Sequence, residues 1–115
     1  MNFASVSIDQ LNSGTSADFD AASFGIVKMG HDGKVTDYNE NQVEHTGMSK
    51  GAVMGKHFFT QVAPCTNNFM VAQKYDSEDS IDAQLPYTFT IKMSPTPVNL
   101  RLLKDSANQY LLCDW

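Results

Sequence analysis

Positive charge is scarce in this chain. Arg101 is the only arginine, the seven lysines are spread singly, and the formal net charge over 115 residues is −5. With no basic patch to meet a phosphate backbone or an anionic bilayer surface, neither nucleic acid nor membrane is expected as a partner. Long apolar runs are missing as well, since none approaches the roughly 18–20 residues that cross a bilayer. Met1-Asn2-Phe3-Ala4-Ser5 has neither the basic nor the apolar region of a signal peptide, so a cytoplasmic protein is expected. Cysteine is limited to Cys65 and Cys113. In a reducing compartment, with a core of this size, a bridge between them is unnecessary, and both are expected as free thiols.

Other chemistries also lack their residues. His31, His45, His57 and Cys65 do not show zinc-ligand spacing, and no carboxylate joins them in a motif. Glu40 and Glu44 are like charges four apart, which suits a solvated helix face better than an acid/base pair. Cys65 and His57 would make a thiol–base pair, but nothing supplies the orienting group or oxyanion hole of a hydrolase. There is no glycine-rich phosphate loop, internal repeat or low-complexity tract. The chain is not expected to be an enzyme.

What is present is a globular composition, 42% hydrophobic and 18% charged, in a length that makes one domain over residues 1–115. Residues 1–23 are small and polar, with Val6, Ile8 and Leu11 as one short apolar face. They are read as a loosely attached N-terminal cap with a short helix or two, and residues 24–115 as the core. Phe24 to Met29 is β-rich, Asp32-Gly33 signals a hairpin turn, and Val35 to Tyr38 returns. Asn39 reads as a helix N-cap with Gln42 at the third helical position, a capping-box pattern, and the helix ends near Gly47. Ser49 caps a second short helix ending at Gly55. Residues 56–68 are turn-rich, Phe69 to about Tyr75 allows one helix, and residues 76–80 form a solvated loop. Leu85 to Met93 is a strand, Ser94-Pro95-Thr96-Pro97 a connection, Val98 to Leu103 a half-buried alternating strand, and Gln109 to Trp115 closes the sheet. Strand pair, short helices and three more strands together predict an α+β fold around an antiparallel sheet.

One segment is more specific than the rest. Gly55-Lys56-His57-Phe58-Phe59-Thr60-Gln61-Val62-Ala63-Pro64-Cys65-Thr66 places a cysteine after a proline, behind an aromatic pair. With Tyr38-Asn39, Thr46-Gly47, Val53-Met54-Gly55-Lys56, Tyr87-Thr88-Phe89-Thr90 and Met93-Ser94-Pro95-Thr96, it resembles the photoactive yellow protein family over roughly residues 19–104. The resemblance implies a PAS domain: a central antiparallel five-stranded sheet with short helices on one face and an N-terminal cap. It also implies a blue-light photoreceptor with p-coumaric acid held as a thioester on Cys65.

By the same resemblance, the backbone N–H of Cys65 holds the thioester carbonyl. Tyr38 donates to the phenolate oxygen, and Thr46 buttresses it. Gln42 stands where the family usually has a protonated glutamic acid. Its amide can donate a hydrogen bond but has no proton to give at physiological pH. Read from the residues alone, Tyr38 and Gln42 are four apart, at a strand end and on the first helical turn, so that both side chains can converge on one point, and the plainer role of Gln42 is the capping box. Met48 stands where the best-known members have an arginine over the ring. Met93 matches the methionine that helps the chromophore return in the dark. Phe58, Val62, Ala63, Phe89 and Ile91 are expected as pocket lining or core. Cys113 has no such setting and reads as core or sheet surface.

Light is then expected to isomerise the double bond. The misfit would change the pocket helices and loosen the cap, signalling to a downstream protein from a monomer or weak dimer. The alternative is a PAS sensory or interaction module that binds another small ligand or none, because fold alone never fixes function.

Overall fold

Apolar residues fall on both sides of the strands in this chain, and the fold covers both sides. The computed structural model describes residues 1–90 and 94–115. The strands are β1 (Gly25–Met29), β2 (Val35–Tyr38), β3 (Ile81–Phe89), β4 (Thr96–Lys104) and β5 (Gln109–Asp114), in the order β2-β1-β5-β4-β3, with every pairing antiparallel. Successive side chains along a strand face opposite ways. In β5, Leu111 and Cys113 therefore join one core cluster while Tyr110 and Leu112 join another, and all four are buried. A strand covered on both faces reads as a continuous apolar run.

One face carries the helices between β2 and β3: α3 (Glu40–Thr46), α4 (Lys50–Val53), a π-helical turn Phe58–Val62, a 3₁₀ turn Pro64–Thr66, and α5 (Ala72–Ser77). The other face carries α1 (Ile8–Ser13) and α2 (Ser16–Asp20), each opened by a complete capping box, at Ser7/Gln10 and Thr15/Asp18. These two helices bury Val6, Leu11 and Phe19 against Phe24, Ile26, Leu103, Tyr110 and Leu112.

The expected α+β architecture with a five-stranded antiparallel sheet is the observed one, and several details differ. The N-terminal cap is not loosely attached. Besides its apolar face, Arg101 Nη1 donates to the backbone carbonyls of Phe3 and Val6 at 3.1 and 2.5 Å, Asn12 donates to Asp105 at 2.7 Å, and Ser16 donates to Asp37 at 2.7 Å.

The helix expected at Phe69–Tyr75 begins three residues later. The Asn68 side-chain oxygen accepts from the N–H groups of Met70 and Val71, which folds a turn first and leaves Phe69 74% exposed. Residues 56–68 are more regular than expected, because the π-helical turn buries Phe58, Phe59 and Val62.

The third strand starts at Ile81 rather than Leu85, and Ile91 and Met93 lie outside the described residues. Thr96 and Pro97, read as connection, are already in β4. Pro97 is tolerated there because β5 pairs with β4 only from Asn99 onward, so the missing N–H leaves no gap in that ladder.

Candidate functional site

The end of β2 and the first turns of α3 place three polar side chains together. Asn39 anchors the junction. Its side-chain oxygen accepts from the N–H groups of Ile26 and Gln42, and its amide donates to the carbonyls of Phe19 and Phe24. That fixes α3 against β1, so Gln42 and Thr46 face inward and are buried. Gly47 ends the helix in the left-handed conformation at φ 73°, which a residue with a Cβ rarely adopts.

Tyr38, on β2, and Thr46 are joined through their hydroxyls at 2.8 Å. The Thr46 hydroxyl donates to the Gln42 carbonyl at 2.7 Å and accepts from the Met48 N–H at 3.3 Å. Its one proton is thereby used, so Tyr38 is the donor of the pair. Burial pushes the Tyr38 hydroxyl up to about 12, against the opposing pull of its bond to Thr46, and it stays protonated at neutral pH.

Gln42 departs from the capping-box expectation. Its backbone N–H is capped by Asn39, but its side chain does not turn back to the cap. It is wholly buried, and among the described residues neither atom of its amide finds a hydrogen-bond partner. The amide lies near enough to the Tyr38 hydroxyl and the Cys113 thiol to ease ionisation of both, without hydrogen-bond geometry to either. Leaving a buried amide unpaired costs about 1–3 kcal/mol, which a ligand atom accepting from it would recover.

The cysteine end of the site is built on the 3₁₀ turn. Thr66 donates through its N–H and its hydroxyl to the Ala63 carbonyl, at 2.9 and 2.6 Å, and Pro64 opens the turn. The Cys65 carbonyl accepts from the Tyr87 hydroxyl and from Asn68. Cys65 is half-buried and packs on the core cluster that contains Tyr38, Phe58, Val62, Ala63, Phe89 and Cys113. Met48 packs against the same cluster and is also half-buried. Cys113 is fully buried, and burial pushes its thiol far up, so it remains a neutral thiol without nucleophilic character. The two cysteines are free.

Of the expected residues, Tyr38, Phe58, Val62, Ala63 and Phe89 belong to one core cluster and Met48 and Cys65 pack against it, while Thr46 and Gln42 join Tyr38 through the Thr46 hydroxyl; Met93 and Ile91 lie outside the described residues. Two neighbours were not legible. Trp115 stacks on His45, with ring centroids 5.0 Å apart and planes at 6°, and lies 5.2 Å from Phe89. Cys113 faces Gln42. The only signal for either was the alternation of β5, which places residues 111, 113 and 115 on one side. Among the described residues no group of His, Cys, Asp and Glu is arranged to hold a metal, and no helix is long and apolar enough to cross a membrane.

This architecture is that of a PAS domain. It superposes on the PAS domain of an HTR-like protein from Haloarcula marismortui with a TM-score of 0.67, at 14% identity, over 91% of this chain and 96% of that one. The likeness is stronger to the photoactive yellow protein domain of the sensor histidine kinase Ppr from Rhodospirillum centenum, with a TM-score of 0.85 at 24% identity over 93% and 98% of the two chains. In sequence the chain is 30% identical to the photoactive yellow protein of Rhodothalassium salexigens over 89 residues, which cover 75% of this chain and 71% of the relative. No family model matches the chain. The chain belongs to the photoactive yellow protein family. Such domains are photoreceptor or signalling modules, and this one is a sensor of that type rather than an enzyme.

Proposed function

We propose that the chain is a blue-light photoreceptor that carries p-coumaric acid as a thioester on Cys65. The observation that carries this reading is the buried Gln42 amide, unpaired among the described residues, beside the Tyr38–Thr46 hydroxyl pair, whose Tyr38 belongs to the core cluster on which Cys65 packs. Such a subsite is prepared for one buried oxygen atom that accepts hydrogen bonds, and a phenolate is such an atom.

When bound, the group supplies conjugation that absorbs blue light and a double bond that light can isomerise. Every other part of the function falls to the protein. The Cys65 sulfur bonds to the carboxyl carbon of an activated coumaroyl ester as the bond to the activating group breaks, and that leaving group takes the thiol proton. Cys65 is exposed enough to be reached, whereas Cys113 is sealed in the core. Tyr87 and Asn68 fix the cysteine's carbonyl.

At the far end Tyr38, protonated throughout the neutral range, turns its proton from Thr46 to the ligand oxygen, and Thr46 turns its own proton to Tyr38. Gln42 adds an N–H. Phe58, Val62, Ala63, Phe89 and Met48 exclude water along the length, and Met93 is the family's counterpart for dark recovery. The switch is read by a partner signalling protein in the cytoplasm, with the domain acting as a monomer or weak dimer.

The test is reconstitution with activated p-coumaric acid. The native chain and Cys113→Ser are expected to turn yellow and gain one coumaroyl mass, mapped to Cys65, while Cys65→Ser stays colourless. An adduct on Cys113, or no adduct under conditions that load another photoactive yellow protein, overturns the reading in favour of a PAS module for another ligand.

A further inference from the structure

Two buried polar groups without partners meet at one place. Besides the Gln42 amide, the Trp115 indole Nε1 is buried and makes no hydrogen bond among the described residues. The point where a Cβ on Gly25 would stand lies 2.0 Å from Gln42 Oε1 and 3.1 Å from Trp115 Nε1. Gly25, on β1, is therefore the opening into which both side chains reach, and any larger residue would fill it. The carbon of the Gln42 amide lies farther from this point, at 3.1 Å, so the carbonyl oxygen leads toward Gly25, at the point the indole nitrogen also borders. That leaves the NH2 end of the amide, the end able to donate, as the group that eases ionisation of the nearby Tyr38 hydroxyl and Cys113 thiol.

The chemistry gives this arrangement a direction. An indole N–H can only donate, and an amide has one end that accepts and one that donates. A carboxylic acid can place its proton on whichever oxygen needs it, but an amide must be turned the right way round. We propose that Trp115 is a positioning residue for Gln42: its indole N–H binds the amide oxygen and thereby commits the NH2 group to the ligand oxygen. Closing that bond satisfies both orphan groups at once, each of which is otherwise desolvated without a partner. The indole is pre-set for the task by its stack on His45 and its contact with Phe89, which leave the ring little freedom to turn its N–H elsewhere.

The inference rests on the ligand reading for its consequence and not for its bond, so the experiment has two arms. Trp115 is the only tryptophan, and its indole N–H therefore gives a single nitrogen–proton signal in the NMR spectrum of the unloaded chain. In Gln42→Leu, which keeps the volume and removes the acceptor, that signal is expected to move upfield and its proton to exchange faster with solvent. An unchanged signal overturns the proposal, whether or not the chain ever binds p-coumaric acid.

In the second arm the chain is loaded with p-coumaric acid and its visible band is titrated. Trp115→Phe keeps the ring stack and removes the donor. In the native background it is expected to raise the apparent pKa of the bound phenol by about one unit, a tenfold change in proton affinity. In the Gln42→Glu background, where the acid orients itself, the same change is expected to matter less than threefold. Equal shifts in the two backgrounds, or none in either, would mean that Trp115 only packs, and the proposal fails. A chain that does not load condemns the Cys65 reading, and the first arm alone then decides on Trp115.

Discussion

On the proposed reading Gln42 stands where the resemblance sets a protonated glutamic acid, and the consequence follows from donor strength. A neutral amide donates a weaker hydrogen bond to a phenolate than a carboxylic acid does. Less negative charge is then pinned on the phenolic oxygen and more spreads along the conjugated tail, which narrows the gap between ground and excited states. The resting band of the native chain is therefore expected to lie to the red of that of Gln42→Glu, compared as absorption maxima of the two loaded proteins. The amide also has no proton to release. Formation of any protonated, blue-shifted state should consequently depend on bulk pH and buffer in the native chain, and less so in Gln42→Glu; flash photolysis across a pH series measures this. A red shift in Gln42→Glu, or no change in colour and kinetics, would remove Gln42 from the ligand. Tyr38 meets the opposite demand, because burial holds its proton in place to about 12 and keeps it a donor throughout the neutral range.

Among the elements, β4 does more than pair with its neighbours. Arg101 points from it toward the cap face, 5% exposed. It forks onto Asp82 of β3 at 3.0 Å through both Nε and Nη2 and uses Nη1 for the carbonyls of Phe3 and Val6. Asp82 itself is 61% exposed, so the ion pair adds little by itself. The bonds to the two carbonyls matter more, since they secure the chain segment ahead of α1 that has no helix of its own. A lysine cannot reproduce the planar fork. Arg101→Lys is expected to lower stability by about 1–3 kcal/mol. Limited proteolysis should show faster cleavage ahead of Ile8, with the sheet still intact by far-ultraviolet circular dichroism. Equal cleavage rates for the two proteins would show that the apolar contacts of Leu11 and Phe19 alone retain the cap.

Over the whole molecule, two carboxylates tie the cap to the sheet, and both are set for acid release. Burial works to raise Asp37, but hydrogen bonds from Lys50, Ser16 and the Tyr38 N–H outweigh it and bring its carboxyl below the usual value of 3.8. Asp105 is lowered likewise against its burial, by the N–H groups of Asn108 and Ala107, the Asn12 amide and the nearby His31. A carboxylate depressed in the folded state adds stability that is complete above its unfolded pKa and disappears as the pH falls through the folded one. Lys50 is raised by its bond to Asp37, so its contribution is present below its unfolded value of 10.5 and disappears only as the pH climbs past the folded one. Stability should thus fall on the acid side, and the cap contacts through Ser16 and Asn12 should go with it. Thermal melting from about pH 5 down to about pH 2 is expected to show a steep loss in the native chain and a shallower one in Asp37→Asn. Parallel curves would place the acid sensitivity elsewhere.

The order of strands and helices was readable along the chain because it depends on local signals: Asp32-Gly33 between two β-rich runs, Asn39 and Ser49 before helices, alternation after Val98. Residues 56–68 were readable only as turn-rich, because Pro64 signals a turn but the hold of Thr66 on the Ala63 carbonyl depends on its side chain. The start of α5 was not, because it depends on an Asn68 side chain choosing two particular N–H groups. The firm hold on the cap was not either, since Arg101 lies more than ninety residues from Phe3 and Val6. Spacing placed Tyr38 and Gln42 together, at a strand end and on the first helical turn, and the family resemblance added Thr46. Only the antiparallel register of β1 with β5, which sets Gly25 opposite Cys113, brings Cys113 and Trp115 to the same spot. Spacing along a chain reports neighbours within an element, whereas contact between distant strands depends on which pairings bury the most apolar surface over the whole sheet.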